Sequence, residues 1–232
     1  KRLAPAALVA RIGAGYDDWM GRLAAACASR AVQLELAPAA GIGPAHSGAA
    51  HDHDHVHELS EETDPHFWLS PPRAIRALPA IAKALSQADP RGRAGYESRA
   101  ASTALDLLAL DAELAARLAP LRGAAFVSAH PAFTHFAARY GLVQAASVEP
   151  VPGREPSPRA LASLIHLARD HRLRVIFTEP QFPEAAARMI ARDAGLGVTL
   201  VDPIGGVDGR NTYEELLRFN AAAFLAGLGT KS

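Results

Sequence analysis

Histidine and aspartate alternate in one short segment of the chain. Six of the ten histidines fall within residues 46–66, and those at every second position are His51, His53, His55 and His57. Imidazole nitrogens and carboxylates both bind zinc, and in a segment without a preformed site they hold the ion weakly and exchange it quickly. The tract therefore predicts auxiliary metal capture. The alternative is a polar linker with no role in metal binding.

Three further metal-binding side chains each end a predicted strand and each precede a proline. They are His130, Glu179 and Asp202, which follow predicted strands at 125–129, 174–178 and 198–201. In open parallel sheets ligands bind beyond the carboxyl ends of the strands, and a following proline restricts the residue before it to extended geometry. The three positions therefore indicate one site. Glu179 ranks below the other two, because it is equally suited to accept hydrogen bonds from backbone amides near that site.

His66 is a fourth candidate, within the motif Asp-Pro-His-Phe-Trp-Leu-Ser-Pro at 64–71. Histidine nitrogens and one carboxylate oxygen in a tetrahedral shell suit Zn²⁺, whereas Mn²⁺ usually takes more oxygen ligands. Asp64 is placed to orient an imidazole as an outer acceptor, a role also open to Glu179. The pattern predicts Zn(II) bound by His66, His130 and Asp202; on spacing alone, the alternative that these are turn residues stays open. The histidines interpreted as core or surface residues are His135, His166 and His171.

The elements that must position these residues follow an α/β pattern. Apolar spacing predicts a strand at 8–12, helices at 17–28 and 71–85, and a longer helix at 96–119. After Gly123, strands and helices alternate, which is typical of a mostly parallel sheet. We therefore predict two α/β lobes joined by one long spine helix. The predicted parts are an N-terminal lobe at 1–93 with a histidine-rich loop at 46–58, a connecting helix at 94–119, and a C-terminal α/β lobe at 120–232.

Composition and cysteine content exclude several other classes of protein. The 24 basic residues balance 24 acidic ones, whereas nucleic-acid binders usually carry a basic excess, so no nucleic-acid partner is expected. No apolar run approaches the roughly 20 residues of a membrane-spanning helix. The single cysteine, Cys27, rules out an intramolecular disulfide and a cysteine-based zinc module. Its place on an apolar helix face predicts a buried small residue.

Five motifs follow one another along the chain. Besides 64–71, with the histidine-rich loop before it, they lie at 128–141, 155–158, 176–182 and 201–206. In this order they resemble the periplasmic zinc-binding components of ABC importers, the ZnuA-like solute-binding proteins of the cluster A-I metal-binding family. The resemblance covers nearly the whole chain. It implies two α/β lobes with the metal held between them, His66 as the ligand from the first lobe, and His130 and Asp202 as ligands from the second.

The resemblance also implies a function. A protein of this kind captures Zn(II) with high affinity in the periplasm and delivers it to the membrane permease of an ABC importer, so no enzyme activity is expected. The histidine-rich loop would collect the ion and pass it to the specific site. We expect a monomer, with a metallochaperone as a further partner.

One departure from the family lies at the front of the chain. The family normally supplies another histidine, from a first-lobe loop upstream of the segment matching 3–20, and an opening strand and helix. This sequence contains neither, and no signal peptide. Because a lobe without its first strand would expose apolar surface, we expect a first lobe that is incomplete at its N-terminus. The alternative is that water or a histidine of 51–57 completes the ligand shell, so the fourth ligand is not predicted.

Other functions would use the same residues. A zinc-dependent hydrolase would carry an activated water at an open coordination position, with Glu179 as general base, although the chain has no HExxH motif. A manganese-transporting binding protein would share the fold; the histidine-rich loop favours zinc. An adhesin-like use of the fold is also open.

Overall fold

A computed structural model describes residues 3–43, 63–149, 156–181 and 184–229. The chain forms two compact units, and the boundary between them falls inside the longest helix, between Asp111 and Ala112. Unit 1 contains the described residues up to Asp111, and unit 2 contains those from Ala112 onward. The mixed architecture, with parallel sheets and a long helix, confirms the predicted α/β class. The predicted histidine-rich loop at 46–58 lies outside the described residues.

Unit 1 is built on two parallel strands. Strand β1 (Leu8–Arg11) pairs with β2 (Val32–Glu35), and helix α1 (Asp18–Cys27) connects them. Helix α2 (Pro71–Ala88) contacts both strands. Helix α3 (Arg93–Leu118) follows and continues into unit 2. Across the described ranges, no helix is both long enough and apolar enough to cross a membrane.

Cys27 is exposed, so its predicted burial is wrong. The buried side of α1 runs through Ala24 and on to Ala28 at the helix end. Cys27 lies roughly 100° around the helix axis from Ala28 and therefore off that side. Alanines next to Cys27 give little contrast between the faces of this helix, and for that reason the sequence pattern misplaced it.

Unit 2 contains a four-stranded parallel sheet in the order β4-β3-β5-β6. The strands are β3 (Ala125–Ser128), β4 (Val143–Ser147), β5 (Val175–Thr178) and β6 (Gly197–Leu200). The chain goes from β3 to β4 on one side and then crosses to the other side of β3 to form β5. The direction of winding therefore reverses between β3 and β5. Such a reversal opens a crevice at the carboxyl ends of two neighbouring strands, where α/β proteins bind ligands.

Helices cover both faces of this sheet. They are α4 (Thr134–Tyr140), α5 (Pro158–Asp170), α6 (Glu184–Ala194) and α7 (Tyr213–Leu228). Because neighbouring residues of a strand point to opposite faces, β3 and β5 each serve two layers. Val127 and Ile176 pack with residues of α5 and α6. Phe126 and Phe177 instead contact the ring of Phe224 on α7, at centroid distances of 5.0 and 4.4 Å.

Helix α7 is also tied to the part of α3 that belongs to unit 2. Arg218 donates hydrogen bonds to both carboxylate oxygens of Glu113, from Nε to Oε1 at 3.1 Å and from Nη2 to Oε2 at 2.7 Å. These bonds lower the pKa of Glu113 below its usual value. The pair is exposed and contributes little to stability. It links α7 to α3, and α7 also carries a residue that contacts the candidate site.

Candidate metal centre

In unit 1, His66 lies in a short anchored segment just before α2. The next three residues, Phe67–Leu69, form a single 3₁₀ turn, and the side chains of Phe67 and Leu69 are buried. Pro71 begins α2, where the lack of an amide hydrogen costs nothing in the first helical turn. The backbone that carries His66 is therefore fixed on its C-terminal side by packing and by the helix start.

Asp64 orients the imidazole of His66. Its Oδ1 accepts a hydrogen bond from the backbone N–H of His66 at 3.0 Å and lies 2.7 Å from the ring Nδ1. The carboxylate is fully buried and therefore favours the tautomer that carries a proton on Nδ1. In that tautomer the lone pair sits on Nε2, which is the atom a metal then binds. Asp64 thus makes the contact that its predicted role requires, while the role itself stays a prediction.

Two aromatic rings border His66 within unit 1. The ring centroids of Trp68 and Tyr16 lie 5.2 and 5.8 Å from that of the imidazole. Tyr16 follows three residues with positive φ, the first being Gly13 at 84°, where an added side chain would collide with Glu35. Burial and the carboxylate of Asp17 raise the pKa of Tyr16. Its oxygen is therefore a neutral phenol near neutral pH when no metal is bound.

In unit 2, His130 and Glu179 meet at the reversal of the sheet. His130 follows β3 and Glu179 follows β5, and the Ala129 amide donates to the Phe177 carbonyl at 2.7 Å between them. The Nδ1 of His130 lies 2.8 Å from the Glu179 carboxylate. Both side chains are buried, at 7% and 0% exposure. As with His66, the carboxylate holds Nδ1 and so directs the lone pair to Nε2.

Asp202 follows β6. Hydrogen bonds hold its main chain and one of its two carboxylate oxygens. Its amide donates to Oδ1 of Asn220 at 2.8 Å, and Nδ2 of Asn220 donates to its carbonyl at 2.7 Å. Its own Oδ1 accepts from the amides of Ile204 and Gly205, both at 3.0 Å. Its Oδ2 lies 3.3 Å from Nη1 of Arg210. The two oxygens therefore have different neighbours: backbone amides donate to Oδ1, and a cation lies beside Oδ2.

The predicted residues are distributed over both units. His66 and Asp64 are together in unit 1, and His130 and Glu179 are together in unit 2. Within the described residues of either unit taken alone, no three His, Cys, Asp or Glu side chains gather closely enough to hold a metal ion. The ligand set His66, His130 and Asp202 stays a prediction. The residues predicted for auxiliary capture, which lie outside the described ranges, are His51, His53, His55 and His57.

The other histidines have the core and surface positions predicted for them. His135 on α4 is buried, whereas His166 and His171 are exposed.

Sequence reasoning missed Asn220 and Arg210. Asn220 left a signal, because it is a polar residue at a core position of α7, next to Ala221 and one turn before Phe224, all fully buried. A polar side chain there needs a hydrogen-bond partner. Arg210 left no such signal in the sequence, because it lies in a glycine-rich loop whose path the sequence pattern does not determine.

Buried carboxylates that orient imidazoles at strand ends and helix starts are typical of metal-binding α/β proteins. A comparison of the whole chain with known families indicates the same class of protein. Residues 1–227 match the family model described as zinc-uptake complex component A, periplasmic, abbreviated ZnuA. The chain belongs to this family, which confirms the resemblance found in the sequence.

Individual proteins that resemble this chain are also described as binding metal ions. The zinc-binding lipoprotein AdcA of Streptococcus pneumoniae serotype 4 is 34% identical over 162 residues; the match covers 69% of this chain and spans only 32% of AdcA. A crystal structure of ZnuA shares 31% identity with a TM-score of 0.77, covering 98% of this chain and 82% of the other. The SBP FpvC of Pseudomonas aeruginosa, solved in complex with Mn²⁺, shares 26% identity with a TM-score of 0.78 at 98% and 82% coverage. One of these relatives is named for binding zinc, and another was solved in complex with manganese.

Replacing Asn220 by leucine, which has a similar shape, is expected to destabilise unit 2. The amide and carbonyl of Asp202 would lose their partners in a buried place, at about 1–3 kcal/mol each. The free energy of unfolding should fall by about 2–6 kcal/mol, measured by urea denaturation followed by circular dichroism. Asn211→Leu, at an exposed position, is the matched control and should change it by less than about 0.5 kcal/mol. Equally small changes in both variants would show that Asn220 does not hold Asp202.

Proposed function

We propose that the chain captures Zn(II) in the periplasm and delivers it to the membrane permease of an ABC importer. One observation carries the proposal: two buried carboxylates, Asp64 and Glu179, each lie against the Nδ1 of a histidine, at 2.7 and 2.8 Å. Carboxylates in that position fix the tautomer, orient the ring and raise the basicity of Nε2 in metal-binding histidines. Membership of the zinc-uptake family supports the same function.

The proposed ligands are His66 and His130 through Nε2 and Asp202 through a carboxylate oxygen. Oδ1 of Asp202 already accepts two backbone amides, so Oδ2 is the oxygen proposed for the ion. Two imidazoles and one carboxylate occupy three positions of a tetrahedral zinc shell. With Asp64 and Glu179 beside the imidazoles, carboxylates offset the charge of a divalent ion in a buried setting.

Preorganisation is what would make this binding tight. Each proposed ligand is already held by hydrogen bonds, so binding an ion costs little side-chain ordering. The acceptors that hold the two imidazoles are themselves almost fully buried, and water competes weakly for those hydrogen bonds. The arrangement is suited to capturing a scarce ion.

Covalent chemistry is not part of the proposed function. A hydrolase would need Glu179 to take a proton from a water bound to the metal, and a general base must lie within hydrogen-bond reach of that water. Glu179 instead contacts Nδ1 of His130, while a metal on Nε2 would lie on the opposite side of the ring. The position of Glu179 therefore favours an orienting role.

Alanine substitution of His66 or His130 tests the site directly. Loss of an orienting residue typically weakens metal binding about 10- to 100-fold, so loss of a ligand should raise the Kd for zinc by more than about 100-fold. Competition with a chromophoric chelator at constant pH measures the Kd. His166→Ala, at an exposed position of α5, should leave it unchanged. Wild-type affinity in either site variant would remove that histidine from the ligand set.

Zinc is expected to bind more tightly than manganese. Two imidazoles with one carboxylate suit Zn²⁺, which also stands above Mn²⁺ in the order of divalent affinities. The ratio of Kd values should favour zinc by at least about 100-fold, as measured by isothermal titration of each ion and by displacement of one by the other. Equal affinities, or tighter binding of manganese, would favour a manganese-transporting protein of the same fold.

Deletion of residues 46–58 separates collection from tight binding. If the alternating histidines only collect zinc, the deletion should lower the number of ions bound and the rate of transfer to the tight site. The Kd of that site should change by less than about threefold, since its proposed ligands are already held elsewhere. Equilibrium dialysis gives the stoichiometry and stopped-flow fluorescence gives the rate. Loss of tight binding would mean that the loop supplies a ligand.

A further inference from the structure

Asp202 already faces a cation supplied by the chain itself. We propose that Arg210 is an internal competitor for the carboxylate of Asp202, which neutralises it when no metal is bound and so promotes release of the ion. The inference rests on the proposed function, in which Asp202 binds zinc.

The guanidinium of Arg210 lies close to both the Asp202 carboxylate and the Phe219 ring. Its Nη1 lies 3.3 Å from Oδ2 of Asp202, and the two side chains are 15% and 2% exposed. Its central carbon lies 4.4 Å from the centroid of the Phe219 ring, a distance at which a cation is attracted to the ring face. Because little water screens the pair, the attraction between the charges is stronger than it would be at the surface.

The loop between the two residues is shaped to bring Arg210 back to Asp202. The amide of Gly206 donates to the carbonyl of Arg210, and the amide of Arg210 donates to the carbonyl of Val207, both at 2.9 Å. Gly205 has a φ of 75°, and a Cβ added there would lie 2.7 Å from the carbonyl oxygen of Arg210. Glycine at 205 is therefore required for the loop to close on itself.

Arg210 is not needed to position Asp202. The main chain of Asp202 is held by Asn220, and Oδ1 is held by the amides of Ile204 and Gly205. Arg210 acts on Oδ2, the oxygen proposed for the ion. Its removal should therefore leave the ligand in place while removing a positive charge that repels the metal, and the expected result is tighter binding.

The competition lowers the free energy of the metal-free protein. A buried carboxylate without a counter-charge is strongly unfavourable, so release of the ion would otherwise leave Asp202 uncompensated. Arg210 supplies the counter-charge at that moment. A protein that must both capture and surrender its ion benefits from a resident cation that takes the place of the departing one.

Arg210→Gln tests the proposal. The Kd for zinc should fall about tenfold and the dissociation rate, measured by stopped flow with excess chelator, should slow by a similar factor. Arg192→Gln makes the same change of net charge at a side chain that is 77% exposed on α6 and should change both values by less than about twofold. Scanning calorimetry gives a further readout: the metal-free variant should melt below wild type, and its shift on adding zinc should exceed that of wild type.

Unchanged or weaker zinc binding in folded Arg210→Gln would overturn the inference. Phe219→Leu keeps the charge but removes the ring beneath it, so a few-fold tightening is expected there, and no tightening would count against the proposal. Asp202→Ala keeps the two failures apart. If that variant retains wild-type affinity, the proposed ligand set is wrong; if it loses affinity while Arg210→Gln gains none, only the role of Arg210 is wrong.

Discussion

A histidine binds a metal through one ring nitrogen, and the partner of its other nitrogen determines which one. Two carboxylates act as such partners here: Asp64 contacts Nδ1 of His66 at 2.7 Å, and Glu179 contacts Nδ1 of His130 at 2.8 Å. The first contact is local, because a 3₁₀ turn and a proline-initiated helix fix the segment around it. The second depends on two strands being neighbours in a parallel sheet. Burial of both carboxylates makes each contact selective for one tautomer.

Asp202 is held in a different way, by hydrogen bonds with backbone amides and with Asn220. A carboxylate has two oxygens, and here backbone amides hold one while Arg210 faces the other. Asn220 holds the main chain from α7, and α7 packs on the sheet through Phe224. Fixed geometry favours capture of an ion, whereas a resident cation favours its release. The proposed function of a delivery protein requires both properties, and the chain separates them between different residues.

The sequence predicted the features that depend on local pattern. Alternating strands and helices predicted the α/β class, and strand 125–129 was observed as Ala125–Ser128. Family membership was predicted and is confirmed. The contact of His130 with Glu179 was not predictable, since a strand pattern shows where a strand ends but not which strand lies beside it. Arg210 was missed because its position depends on the path of a glycine-rich loop, and Cys27 was misplaced because its helix is alanine-rich on several sides.

In the proposed site, zinc is bound by imidazole nitrogens and a carboxylate oxygen. X-ray absorption at the zinc edge, on protein loaded with one equivalent of zinc, tests it most directly. Nitrogen and oxygen neighbours of zinc are expected at about 2.0–2.1 Å, with multiple scattering from at least two imidazole rings. A shell with one imidazole or none would contradict this assignment. A sulfur atom at about 2.3 Å from the zinc, supplied by the exposed Cys27, would also contradict it.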